Sequence, residues 1–216
     1  MSEAITCRVT EIFYSLQGET RTVGLPTVFI RLTGCPLRCH YCDTTYAFHG
    51  GEKLSIEDIM AKVADYSPQF VTVTGGEPLA QKSCIPLVKT LCDAGYSVSV
   101  ETSGALSIAA LDSRATRVVD IKTPGSGEEK KNDYDNIALL SEQDQVKFVI
   151  CHRQDYEWTK KVLAQYDMAS RCEVLLSPEH EQLAPEQLAD WMLVDKITAR
   201  FQLQLHKYLW QDAAGK

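Results

Sequence analysis

Six short runs of apolar and β-branched residues recur along the chain, at 28–33, 70–74, 97–101, 117–121, 146–150 and 173–177. Each reads as a strand buried on both faces. Helical patterns separate several of them. Ser55 followed by Asp58 marks a helix start, with Ile59, Met60, Val63 and Tyr66 at helical spacing behind it. Ile85, Leu87, Val88 and Leu91 mark a second helix, closed by Gly95. Trp158, Val162 and Leu163 mark a third, and Leu188, Trp191, Met192 and Val194 a fourth, entered through Pro185. Strand and helix in alternation specify a parallel sheet with right-handed crossovers. Six strands are too few for an eight-unit barrel, so the expected fold is α/β, a partial, open (β/α)6-type barrel with parallel strands. Functional groups in such folds gather on the loops beyond the carboxyl ends of the strands.

The 216 residues carry no stretch that reads as a linker, which predicts one domain over 1–216. Hydrophobic residues at 44% and charged residues at 24% are ordinary globular usage and exclude disordered, fibrous and membrane classes. The first residues show no basic segment followed by an apolar run, and no window approaches a membrane span, so a soluble, cytoplasmic protein is expected. A net charge of -7 argues against a broad nucleic-acid surface and favours a small-molecule substrate. Lys160 and Lys161 read as the solvated face of a helix.

The unusual pieces all follow strands. A cysteine loop at 35–42 follows the first, Gly75-Gly76-Glu77-Pro78 the second, Thr102-Ser103-Gly104 the third, a glycine-rich stretch from Lys122 the fourth and Ser177-Pro178 the sixth. The segment 124–135 alone has loop composition, and reads equally as a mobile lid over a site or as a solvated turn.

Within the first of these loops Cys35, Cys39 and Cys42 can converge on one point. Three local thiolates suit a cuboidal iron-sulfur cluster, whose fourth iron corner then stays open for chemistry. The competing reading is structural zinc, closed by a fourth ligand from His40, His49, Cys84, Cys92, Cys151 or Cys172, although no second Cys-x2-Cys knuckle is present. Eight cysteines in a reducing compartment live as thiols or ligands, and Cys7, Cys84, Cys92, Cys151 and Cys172 read as small buried hydrophobes.

The Cys-x3-Cys-x2-Cys loop with Tyr41 before its last cysteine, followed by Gly-Gly-Glu-Pro, resembles the radical S-adenosylmethionine superfamily. The resemblance implies a 4Fe-4S cluster on Cys35, Cys39 and Cys42. It implies S-adenosylmethionine on the open iron, reductive cleavage to a 5'-deoxyadenosyl radical, and an electron donor such as a flavodoxin or ferredoxin. Gly75 and Gly76 lack side chains, so backbone can approach a ligand there. Glu77 caps a strand end on the plain reading; beside a sulfonium and an ammonium its carboxylate is favoured by attraction. Tyr41 packs on the plain reading and lies against adenine on the family one.

Ile12 to Glu19, Gly24, Pro26, the Phe29-Ile30-Arg31-Leu32 run, Cys42-Asp43-Thr44, Glu101 to Gly104, Asp120-Ile121-Lys122 and Gln204 to Lys207 are similar to the 7-carboxy-7-deazaguanine synthase family of 7-deazapurine and queuosine biosynthesis. Threonine stands at position 20, where that family often has glycine. The resemblance implies a carbon-nitrogen lyase that turns 6-carboxy-5,6,7,8-tetrahydropterin into 7-carboxy-7-deazaguanine with loss of ammonia, in a homodimer. It places Leu16, Gln17 and Gly18 at the pterin edge, with Gln17 hydrogen-bonding the heterocycle. Arg31 meets the substrate carboxylate, Thr44 gives a hydroxyl to Mg2+, Thr102 contacts substrate, and Gly104 and Ser126 contact the cofactor. His206 and Lys122 are candidates for proton transfer. Two rivals are kept open: a glycyl-radical-enzyme activase, which needs no Leu-Gln-Gly-Glu segment, and a non-catalytic zinc-bound module.

Overall fold

The computed structural model describes residues 4–211 together with Ala213 and Gly215. The start of the chain, residues 1–3, read above for a leader, lies outside the described residues.

All six predicted strands are present, as β2 (Pro26–Leu32), β4 (Phe70–Gly75), β5 (Ser97–Thr102), β6 (Thr116–Asp120), β7 (Gln145–Ile150) and β8 (Glu173–Pro178). They pair in parallel in that order. Three strands were not read from the sequence: β1 (Thr6–Leu16), β3 (Glu52–Ser55) and the two-residue β9 (Arg200–Phe201). The sheet runs β3-β1-β2-β4-β5-β6-β7-β8-β9 and stays open, a partial barrel. Its β1 pairs antiparallel with both β2 and β3, so the sheet is parallel only from β2 onward. Only two of the eleven residues of β1 are buried, so it lacks the continuous apolar run by which the others were found.

The helices follow their signals. In α1 (Ile56–Ala64) Ser55 and Asp58 form a reciprocal capping box, with the Asp58 amide donating to Ser55 Oγ at 3.0 Å. Next, α2 (Cys84–Asp93) is followed by Gly95 at φ +88°, the left-handed position that a helix end favours. Then come α3 (Arg153–Tyr166) and α4 (Pro185–Asp195), with Pro185 opening the first turn. A short α5 (Leu205–Trp210) was not anticipated. Their apolar faces cover the sheet: Ile59, Leu87 and Leu91 are fully buried, each contributing about 1.5–3 kcal/mol. The connections β5 to β6 and β6 to β7 lack α-helices; the second is made of 3-10 turns at Pro124–Ser126, Glu129–Lys131 and Tyr134–Leu139. Helical apolar spacing is absent from both stretches, so the repeat is six-stranded without being six-helical.

The 124–135 segment is fastened at both ends. Asn132 clasps the Lys122 backbone, receiving from its amide at 2.8 Å and donating to its carbonyl at 2.9 Å, and the Asp133 amide donates to the Gly104 carbonyl at 3.0 Å. Thr20 sits at φ +70°, a conformation glycine adopts freely and a β-branched residue rarely does. Gln202 holds it there: the Thr20 amide donates to Gln202 Oε1 at 2.8 Å, and the carbonyl accepts from Gln202 Nε2 at 3.4 Å.

Candidate active site

One cavity opens at the carboxyl ends of the strands, and the three cysteines of the first loop face it. That loop is laid against the glycine-rich turn after β4. The Glu77 amide donates to the Gly34 carbonyl at 2.8 Å and the Gly76 amide to the Leu32 carbonyl at 3.2 Å. A Cβ on Gly76 would come within 2.6 Å of both the Cys35 Cβ and the Gly34 oxygen, so only glycine permits this approach. The Leu37 amide points at Cys35 Sγ from 3.4 Å, and the Cys42 amide donates to the Cys39 carbonyl at 3.2 Å. Burial pushes the Cys39 thiol up to about 11 against the pull of Lys122, and it raises Cys35 as well.

Of the residues singled out by sequence, Leu16, Gln17, Gly18 and Arg31 line this cavity, as do Tyr41, Thr44, Gly75, Gly76 and Thr102. Several hold partners that the sequence did not disclose. The Gln17 carboxamide is engaged inside the protein, donating to Thr72 Oγ1 at 3.2 Å and Glu101 Oε1 at 3.1 Å and receiving the Glu19 amide at 3.2 Å. Its amide group thereby holds Glu101 in place at the cavity wall. Glu77 is engaged in the same way. It is fully buried, and its carboxylate accepts from the Leu79 amide, Thr102 Oγ1 and the Ser103 amide at 2.9, 2.9 and 2.7 Å. Those donors turn it away from the cavity, and it ties the β4 and β5 loops together. Ser126 and Gly104 also lie behind the wall; Ser126 Oγ donates to the Thr123 carbonyl at 2.6 Å. Thr44 Oγ1 donates to Asp43 Oδ1 at 2.7 Å, and Lys207 Nζ lies 3.4 Å from Asp43 Oδ2.

Arg31 is aimed. Its Nε donates to Glu11 Oε1 at 2.7 Å, Tyr46 Oη donates to the same oxygen at 2.7 Å, and the Phe13 and Tyr46 rings flank the guanidinium at 5.7 and 5.8 Å. With Nε fixed, the fork of Nη groups is presented as a unit, the geometry that suits a carboxylate.

Among the charges of the floor, sequence reasoning gave a role only to Lys122, a candidate for proton transfer. Lys147 Nζ stands 2.5 Å from Glu19 Oε2 and 3.4 Å from Asp120 Oδ2, and Lys122 Nζ stands 3.0 Å from the same Asp120 oxygen. Gln204 Nε2 holds the other Glu19 oxygen at 3.0 Å. Burial works against both ammonium groups, yet the carboxylates raise Lys122 and Lys147 well above the ordinary lysine range. These are fixed charges. Two neighbours behave differently: burial raises the Glu101 carboxyl, with Glu19 adding to the effect, and burial lowers His206. Both shifts favour the neutral forms. The signal for Lys147 and Asp120 was legible, since a charged residue inside an otherwise apolar strand must face something polar. His206 packs on Gly18, where a Cβ would lie 2.3 Å from its Nδ1.

The residues fit an open iron-sulfur cluster with a ligand on it. Three thiols and a flush glycine backbone share one wall, and Tyr41 Oη and Asp120 Oδ1 are buried without a hydrogen-bond partner among the described residues. No three His, Cys, Asp or Glu side chains among the described residues close on a single metal ion.

Comparison with known proteins agrees. The profile of the Radical SAM superfamily matches residues 29–165. A 7-carboxy-7-deazaguanine synthase of Chlorobaculum tepidum is 42% identical over the full length of both chains. One from Koribacter versatilis is 38% identical, covering 94% of this chain and 96% of the relative. Among solved structures, QueE from Escherichia coli superposes with a TM-score of 0.77 at 23% identity, over 93% of this chain and 95% of that one. The chain belongs to the radical SAM superfamily and, within it, to the family of 7-carboxy-7-deazaguanine synthases.

Proposed function

We infer that the protein is a lyase that converts 6-carboxy-5,6,7,8-tetrahydropterin to 7-carboxy-7-deazaguanine with loss of ammonia, in the 7-deazapurine route to queuosine. The observation that carries this reading is the placing of an aimed guanidinium, Arg31, on the same cavity as the three thiols and the Gly75-Gly76 backbone. A 4Fe-4S cluster with S-adenosylmethionine, when bound, would supply the hydrogen abstraction from C6 of the substrate. Cys35, Cys39 and Cys42 would hold the cluster, and Gly75, Gly76 and the Tyr41 ring would receive the cofactor, with Glu77, Gly104 and Ser126 shaping the loops behind it.

This chain's own residues bind, orient and move protons. Arg31 takes the substrate carboxylate. Leu16 and Gly18 border the pterin, with Thr102 beside them and Glu101 presented by Gln17. Thr44, paired with Asp43, offers oxygen ligands to Mg2+. Glu101 and His206 are the groups suited to the proton transfers that accompany ammonia release. An electron donor such as a flavodoxin or ferredoxin and a homodimeric state complete the reading. Among the described residues no helix is long and apolar enough to cross a membrane.

Anaerobic incubation of reconstituted protein with the carboxypterin, S-adenosylmethionine, Mg2+ and a reductant tests this, with product read by mass. The expected result is 7-carboxy-7-deazaguanine in many turnovers per chain; an unchanged pterin with cofactor cleavage alone would overturn it. Glu11→Ala removes a charge-assisted hydrogen bond of about 1.5 kcal/mol from Arg31, so KM for the carboxypterin is expected to rise about tenfold with little change in kcat. An unchanged KM would show that Glu11 does not aim Arg31.

A further inference from the structure

Cys39 is held from both sides by a segment more than eighty residues away. The Arg38 amide donates to Glu128 Oε1 at 2.6 Å, and the His40 amide donates to the Ser126 carbonyl at 3.0 Å. Gly127, at φ +77°, lies flat beneath the His40 imidazole, where a Cβ would approach a ring carbon to 2.7 Å. The same turn is anchored from below. Asp155, fully buried at the start of α3, accepts from the Gly125 amide at 2.9 Å and the Cys151 amide at 3.0 Å, and a Cβ on Gly125 would come within 2.4 Å of its carboxylate. Arg38 completes the frame. Its Nη1 donates to the carbonyls of Cys35 at 2.8 Å and Leu37 at 2.6 Å, while its guanidinium lies 4.2 Å from the centroid of the Phe48 ring.

We propose that the turn at 125–128 is a brace that shapes the cysteine loop for its cluster, with Glu128 the positioning residue that fixes Cys39 through the Arg38 amide. The proposal rests on the cluster reading above and assigns to Glu128 a role that neither its exposure nor its sequence setting announces. A loop with free amides at 38 and 40 would sample many arrangements of three thiols, and each cluster insertion would then bear the entropy of ordering it. With those amides tied to a turn seated on α3, the loop is arranged in advance, as first-coordination ligands generally are by the partners behind them. The carboxylate is an acceptor here, so glutamine, which keeps an acceptor oxygen, is the conservative replacement.

The test compares wild type with Glu128→Ala, Glu128→Gln and Glu129→Ala, each reconstituted anaerobically. Iron and acid-labile sulfide per chain, the rate of chelator-driven iron loss and hydrogen exchange at the Arg38 amide in cluster-free protein are measured. Wild-type iron and sulfide content tests the cluster itself. For Glu128→Ala, iron loss is expected to be roughly tenfold faster, the scale of one charge-assisted hydrogen bond to a backbone amide, with faster exchange at Arg38. Glu128→Gln should stay within about threefold of wild type, and Glu129→Ala should match it. Iron retention in Glu128→Ala equal to wild type would overturn the proposal. So would equal losses in Glu128→Ala and Glu129→Ala, which would point to general charge instead. If the alanine variant proves unstable, unprotected exchange of the Arg38 amide in cluster-free wild type would overturn the brace as well.

Discussion

Replacing Cys39 with alanine is expected to give a folded protein that holds no stable cluster and forms no product, with acid-labile sulfide and turnover both falling below detection. The same holds for Cys35 and Cys42, because a cluster with two protein thiolates has lost the arrangement that leaves one iron open to the cofactor. The cost to the cluster-free fold should be small. Burial keeps Cys39 a neutral thiol up to about 11, so alanine removes a half-buried sulfur without stranding a charge. The five remaining cysteines should behave in the opposite way. Cys84 is fully buried, its thiol pushed up to about 12 by burial, and Cys84→Ala should lower stability by about 1–3 kcal/mol while leaving iron content intact. Iron titration with thermal melting on both variants checks the contrast; sulfide retained in Cys39→Ala would remove the foundation of the assignment.

Lys147→Met is expected to be the most destabilising single change in the cavity floor. It leaves Glu19 without the ammonium at 2.5 Å and Asp120 with Lys122 alone. Breaking a buried pair from one side costs about 3 kcal/mol or more, because the remaining charge is neither hydrated nor compensated. For a chain of this length that corresponds to a midpoint roughly 6–12 °C lower. The pH dependence has a definite sign. Burial alone would raise Asp120, but Lys122 and Lys147 outweigh it and hold the carboxyl below its ordinary 3.8. A depressed carboxyl adds stability above 3.8 and loses it as the pH falls through its folded value. The variant has less depression to lose, so the gap between its midpoint and that of wild type should narrow on acidification below 3.8. Melting curves across that range decide the matter, and a Lys147→Met protein that melts with wild type would show the floor to be hydrated and the pairing weak.

The parallel part of the fold was legible because β2, β4, β7 and β8 are largely buried and rich in apolar and β-branched residues, while β5 and β6 carry shorter β-branched runs between turn signals. The strand β1 was not. Much of it is half-exposed, with polar residues such as Thr10, Glu11 and Ser15 among its apolar ones, and its pairing partners lie elsewhere in the chain. Local composition cannot reveal a partner. The cysteines, Arg31 and the glycine turn were legible in the same sense, since their chemistry follows from residue type and spacing. The protein partners of Glu77 and Gln17 were not legible, because a side chain's hydrogen-bond partners are set by loops that meet only after folding. Glu19 and Glu101 were overlooked for the same reason, and Lys147 was overlooked although its charge inside an apolar strand marked it: the groups around them meet only in the folded sheet.

The even matching of charge on the cavity wall bears on how its two small molecules load. Lys122 and Lys147 face Asp120 and Glu19, and Arg31 faces Glu11, so each fixed cation already has a fixed anion. A sulfonium compound of net positive charge and a carboxylated pterin of net negative charge therefore bring a further pair of opposite charges to a wall already in balance, the pterin carboxylate sharing Arg31 with Glu11. Each should tighten the other, and by the same factor, since coupling between two ligands is reciprocal.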